Sequence, residues 1–218
     1  MDEQSNPIDI GAIIGRLAPQ AIRNLVSEYR DYDRPALDCI HNKSIPSDQR
    51  EAGLKRWLDY YKVFQGFTSG QRLDLTRAIL AWADRLDLNE EIDSAEKIER
   101  AHANLMKACC EAYGKERVFI SLASKALWLC YPDSIPIFDN LAKHSLQLLV
   151  RFEPNIIPVD PKASEYREFV HYWKQLYERY GERLSGPLAV NDPNNEFNRI
   201  KVFDAVLWLL GEPGYYRV

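Results

Sequence analysis

Apolar residues recur at intervals of three and four through almost the whole chain, and nowhere does strict alternation persist across enough residues to form a sheet. That pattern restricts the fold to helices packed on helices, because each apolar stripe has to be buried against another. In IGAIIGRLAPQAIRNLVSEYRDY the stripe runs through Ile13, Leu17, Ile22, Leu25 and Val26, and Pro19 is expected to split it into two short helices. The stretch RDYDRPALDCIHNKSIPSDQR carries Pro35 and Pro46 among polar residues and reads as a connection with no more than one turn of helix. Helical spacing resumes at Ser47, the expected N-cap, with Leu54, Leu58, Tyr61 and Val63 or Phe64 on one face and Gly66 as the stop.

Two more amphipathic helices follow, one through Leu75, Ile79, Trp82 and Leu86, the other through Ile98, Ala101, Leu105 and Ala108 up to Gly114. A short helix is then expected to end near Tyr131, since Pro132 cannot continue it, and Asp139 stands where the N-cap of NLAKHSLQLLVRF belongs. The proline-rich EPNIIPVDPKA leads into SEYREFVHYWKQLYERYG, and NDPNNE leads into FNRIKVFDAVLWLLG. In that last helix Arg199 and Asp204 read as structural, and Trp208 as buried with Leu207 and Leu210. The expectation is an all-α, compact multi-helix domain of about eight to ten helices over residues 10–218, after a loose leader over 1–9.

Composition narrows the function. With 46% hydrophobic and 28% charged residues the 218-residue chain can bury a substantial core and fold as a monomer without a partner. A net charge of -4 excludes a protein that coats nucleic acid non-specifically, although Lys115, Arg117, Lys125, Lys143 and Arg151 outnumber the acidic Glu116, Asp133 and Asp139 between them. Cys39, Cys109, Cys110 and Cys130 have neither CxxC spacing nor a disulfide framework, so reduced thiols in a cytoplasm are expected. No signal-type apolar region or membrane-length apolar run is present, so no membrane partner is expected. His41, His102, His144 and His171 lie outside metal-ligand spacings, and phosphate-cradling glycine loops and a GxSxG elbow are missing; neither a metal nor another cofactor is called for. The aromatic rows Trp57, Tyr60, Tyr61, Phe64 and Tyr166, Phe169, Tyr172, Trp173, Tyr177, Tyr180 read as core or interface stripes before base-stacking platforms.

The segment SLASKALWLCYPDSIPIFDN holds the candidate chemistry. Lys125 falls in an apolar helix near its positive end, where both the setting and the dipole favour a neutral, nucleophilic amine. Asp139 at the next helix start would be held ionised and could stabilise positive charge on a substrate. The competing reading makes Asp139 only a cap and Lys125 a snorkelling surface residue.

At these residues the chain resembles the helix-hairpin-helix DNA glycosylase superfamily, which carries a lysine on a short helix followed by an F-P-V-D-T-H-like motif whose aspartate caps the next helix. SIPIFDNLAKHSL resembles that motif over roughly 35 residues around it. The pattern S-K-x6-P-D-x2-P-I-x-D (Ser124, Lys125, Pro132, Asp133, Pro136, Ile137, Asp139) is similar to that of a group of functionally uncharacterised bacterial proteins. So is a C-terminal R-x4-D-x2-LW-x2-G through Arg199, Asp204, Leu207, Trp208 and Gly211. The resemblance implies a DNA-repair protein with Lys125 as nucleophile and Asp139 as charge stabiliser, and with Lys115, Arg117, Lys143 and His144 as candidate DNA contacts. The glycine hairpin of that superfamily has no counterpart, since VFISLAS precedes Lys125 and the nearest glycine is Gly114. The alternative is a non-catalytic helical module on the same scaffold that binds a protein or nucleic-acid partner.

Overall fold

A computed structural model describes residues 8–192, 194 and 196–213; the expected leader lies, as far as residue 7, outside the described residues. The described residues form ten α-helices with one π-helical and one 3-10 turn, and no strand. They gather into two compact units, one made by the chain up to Leu25 together with the chain from Asp139, the other by Val26–Phe138.

Helix α1 (Ile10–Glu28) runs unbroken through Pro19, against the expected split. A proline inside a helix costs about 3 kcal/mol through a lost hydrogen bond and a clash with the carbonyl four residues back. Burial of Ile10, Ile14, Leu17 and Ala18 before it and of Ala21, Ile22 and Leu25 after it keeps one stripe continuous and offsets that cost.

In the Val26–Phe138 unit, the segment expected to be irregular is helical instead. A π-helical turn, Tyr29–Asp33, leads into α2 (Arg34–His41), with the Arg34 N–H donating to the Tyr29 carbonyl five residues back. Pro35 sits in the first turn of α2, where its missing N–H is not needed. After α2 come α3 (Ser47–Tyr60), α4 (Ser69–Ala83), α5 (Ala95–Tyr113) and α6 (Ile120–Cys130). Each packs on its predecessor, and α6 closes back onto α2. Pro46 rather than Ser47 takes the cap position of α3, and the helix stops at Tyr60, six residues before the expected Gly66, as Lys62 turns to φ 55°. Thr68 and Gln71 form a capping box on α4, Ser94 caps α5, and Gly114 ends α5 at φ 74°.

Two polar knots hold this unit. The buried Asp33 carboxylate accepts from Trp57 Nε1 and from the Tyr61 hydroxyl, both at 2.8 Å. Burial, and then the nearby Asp33 charge, push the Tyr61 phenol well above its ordinary range, so it stays a donor. Arg50 donates through Nε to the Cys39 carbonyl at 2.6 Å and grips the Asp84 carboxylate with both terminal nitrogens, tying the ends of α2 and α4 to α3.

The other unit contains α7 (Asn140–Phe152), α8 (Glu165–Tyr180), a 3-10 turn (Gly181–Leu184), α9 (Ser185–Asn191) and α10 (Arg199–Gly211). Helix α7 packs on α8 and on α10, which also meets the 3-10 turn. Ser164 and Asn198 cap α8 and α10. Arg199 pairs with Glu182, and the buried Asp204 accepts from Trp173 Nε1 at 2.7 Å, which ties α10 to α8. Trp208 departs from expectation. Leu207 and Leu210 are buried, but Trp208 is 39% exposed, the one exposed position in a helix otherwise buried over most of its circumference.

Close approach at the end of α10 depends on Gly211, where a Cβ would stand 2.5 Å from the Leu141 carbonyl oxygen, a backbone atom with little room to move. Gly211→Ala is therefore expected to destabilise the protein by about 1–3 kcal/mol. Gly15→Ala, placed mid-helix where a Cβ meets nothing within 4 Å, is expected to stabilise it by about 0.5–1 kcal/mol. Thermal melts of the two variants moving in the same direction would contradict this packing.

Candidate functional site

Helix α6 is buried at every position from Leu122 to Cys130, and Lys125 is among them at 4% exposure. Lysine is among the residues least often buried whole, so the structure departs from the snorkelling reading. Its ammonium donates to Ser121 Oγ at 2.8 Å, one turn back, and to the Phe138 carbonyl at 3.4 Å. Ser124 completes the arrangement: its Oγ accepts from the Phe138 N–H at 3.1 Å and lies 3.3 Å from the Phe138 carbonyl. Both backbone polar groups of Phe138, its N–H and its C=O, are thereby bound by side chains of α6.

The loop that reaches Phe138 is built for burial. Tyr131 accepts from the N–H groups of Ser134 and Ile135, which turns the chain at Pro132 and Asp133, and Ile135, Pro136, Ile137 and Phe138 are then buried in succession. Four consecutive residues without a helix or strand ladder leave backbone groups in need of partners. The Ser124–Lys125 pair supplies them at the last of the four, so the linked motif has a packing rationale that spacing alone did not reveal.

Asp139, the next residue, belongs to the other unit and caps α7, its Oδ1 accepting from the Ala142 N–H at 2.9 Å. It is half-buried. The candidate DNA contacts divide in the same way. Lys143 and His144 lie in the first turns of α7, with Lys143 paired to Glu165 at 2.5 Å and His144 exposed. Lys115 and Arg117 lie on the exposed connection between α5 and α6, in the Val26–Phe138 unit. Arg117 is seated over rings: its guanidinium carbon is 4.3 Å from the centroid of Phe67, 5.7 Å from that of Tyr113 and 5.9 Å from that of Phe119.

The remaining titratable groups narrow the chemistry. Burial pushes the Cys109 and Cys130 thiols up to about 12, so neither offers a thiolate nucleophile near neutral pH. His102 is buried and bonded through Nε2 to the Ile120 carbonyl at 3.1 Å, at the start of α6. Desolvation lowers its pKa to about 4, which makes it a neutral structural donor. A shallow concavity of about 310 Å³ between α4 and α5, floored by Trp82 and Leu86 and rimmed by Arg85, Asn104, Lys107 and Glu111, includes none of the expected site residues. Among the described residues no helix is long and apolar enough to cross a membrane.

Sequence reasoning missed Ser121 and Ser124 as the partners of the lysine and the loop. A serine immediately before an isolated lysine in an apolar helix was the available signal. Comparisons with family models, with curated proteins and with solved structures find no match for this chain.

His102 carries a pH prediction. Unfolded, its imidazole titrates near the ordinary 6.5, and folded near about 4, so between these values the unfolded chain binds more protons. Stability contributed by the neutral ring is complete above pH 6.5 and is lost as pH falls towards 4, by up to roughly 3 kcal/mol. The urea midpoint of His102→Gln, measured across this range, should vary less with pH than that of the original chain. Parallel profiles would contradict the assignment.

Proposed function

We propose that the chain acts on DNA as a helical, glycosylase-like protein, with Lys125 as an amine nucleophile and Asp139 as a carboxylate that steadies positive charge. The observation that supports this most is a lysine kept inside an apolar helix at 4% exposure, its amine held by Ser121 and by the carbonyl of Phe138, whose peptide bond runs to Asp139. Burying an ammonium is costly unless it is hydrogen-bonded, and an amine so held is fixed in orientation.

In the proposed step a base is extruded from the stack and the neutral Lys125 Nζ attacks C1′ of its sugar. The bond from C1′ to the base breaks, and its electron pair leaves with the base, which takes up a proton. The amine loses a proton to solvent, the sugar ring opens as its oxygen is protonated, and a protonated imine joins C1′ to Nζ. The Asp139 carboxylate stabilises the cation that develops at the sugar.

A second reading has an observation of its own. The bonds that orient Lys125 also close the Pro132–Phe138 loop onto α6, a structural role sufficient without chemistry. The scaffold would then bind a protein or nucleic-acid partner.

Duplexes carrying abasic, oxidised or alkylated sites, incubated with the protein and borohydride, separate the two. Hydride reduction of the imine should leave a covalent protein–DNA adduct that Lys125→Ala abolishes, with Lys125→Met, which keeps the length of the stem, confirming the loss in a folded protein. No adduct and no released base from any of these substrates would remove the amine chemistry and leave the binding reading.

A further inference from the structure

The connection between α5 and α6 carries a cation seated on three aromatic rings. Phe67, Tyr113 and Phe119 touch one another, with centroids 5.6–6.0 Å apart, and Arg117 lies across all three. Its backbone is fixed as well, because Cys110 Sγ donates to the Arg117 carbonyl at 3.2 Å. Gly114 turns the chain out of α5 with φ 74°, and the next four residues, Lys115 to Val118, are all exposed, Val118 at 73%.

Arginine stacked on rings loses little by desolvation of its weakly hydrated face, while its N–H donors stay in a plane and point outward from the edge. Among the described residues the Arg117 guanidinium makes no hydrogen bond and no ion pair, in contrast to Arg50, Arg72, Arg77, Arg179 and Arg199. A fork seated on rings with its donors unspent matches the bidentate geometry of a phosphate. Lys115, two residues away on the same exposed stretch, adds a second cation, and the exposed Val118 and the edge of Tyr113 offer apolar surface for a base. Had Arg117 served only to cover the rings, an aliphatic side chain would do so without charge.

We propose that Arg117, seated on Phe67, Tyr113 and Phe119, is a phosphate anchor for a nucleic-acid strand. This rests on the nucleic-acid half of the function proposed above and is independent of the lysine chemistry. It makes the loop between α5 and α6 the place where a strand is first gripped, with an aromatic-backed arginine as the gripping group.

The test uses the full chain and fluorescently labelled oligonucleotides, single-stranded and duplex, over a salt series. Arg117→Met keeps apolar cover on the rings and removes the fork, and should weaken binding about tenfold while making log Kd against log salt shallower by about 0.7–0.9, the share of one phosphate. Arg117→Lys keeps the charge and should leave the salt slope unchanged while binding severalfold more weakly, and it serves as the readout if the methionine variant does not fold. Unchanged affinity and slope in Arg117→Met would overturn the anchor, as would binding of the original chain to phosphatidylserine vesicles or inorganic phosphate with none to oligonucleotides. Oligonucleotide binding that needs Arg117 but yields no borohydride adduct would fail the amine chemistry alone, whereas an adduct that forms equally well in Arg117→Met would fail the anchor alone.

Discussion

A residue buried among apolar side chains must find partners for both its backbone N–H and its C=O, and at Phe138 those partners are side chains of another element. Ser124 accepts the N–H and Lys125 donates to the carbonyl, so one turn of α6 fixes the end of a loop whose last four residues are all buried. Leaving such a group unmade costs about 1–3 kcal/mol. Much follows from this. The helix can be apolar around most of its circumference because Ser124 and Lys125 are used inward, and the loop can bury Ile135, Pro136 and Ile137 with no ladder of its own. The chain then leaves the unit at a defined point, one residue before the cap of α7.

The two units solve a second problem in the same way. Each buries an aspartate beneath a tryptophan, Asp33 under Trp57 and Asp204 under Trp173, with indole-to-carboxylate distances of 2.8 and 2.7 Å. A charge-assisted bond from an indole places a large apolar ring and a carboxylate in one fixed geometry. In both units a phenol stands close by, Tyr61 and Tyr166, and burial together with the neighbouring aspartate raises both well above the ordinary range. These tyrosines and aspartates are therefore read as architecture.

The helices themselves were legible in the sequence wherever a stripe at spacing three and four met a stop. Gly114, Pro132 and Asp139 mark boundaries that the structure shows within a residue or two. Reading failed where tertiary burial outweighs a local signal. Pro19 sits inside α1 because the stripe continues on both sides of it, and Pro35 begins a helix instead of preventing one. Trp208, expected inside with Leu207 and Leu210, stands a hundred degrees round the helix from Leu207 and is exposed. Of the candidate site, Lys125 and Asp139 were legible as residue types in unusual places. The serines that hold the lysine and the loop, Ser121 and Ser124, were not, because a serine's partner is a matter of three-dimensional approach, and neither was the aromatic seat of Arg117, whose rings come from residues 67, 113 and 119.

Amide hydrogen exchange at Phe138 tests most directly the claim that the Ser124–Lys125 grip organises this fold. If its N–H is bound by Ser124 in a dry setting, it should exchange only with global unfolding, among the slowest amides of the chain. In Ser124→Ala the same amide should exchange faster by a factor greater than the overall loss of stability explains. A Phe138 amide in the original chain that exchanges as fast as an unprotected loop amide would contradict the account.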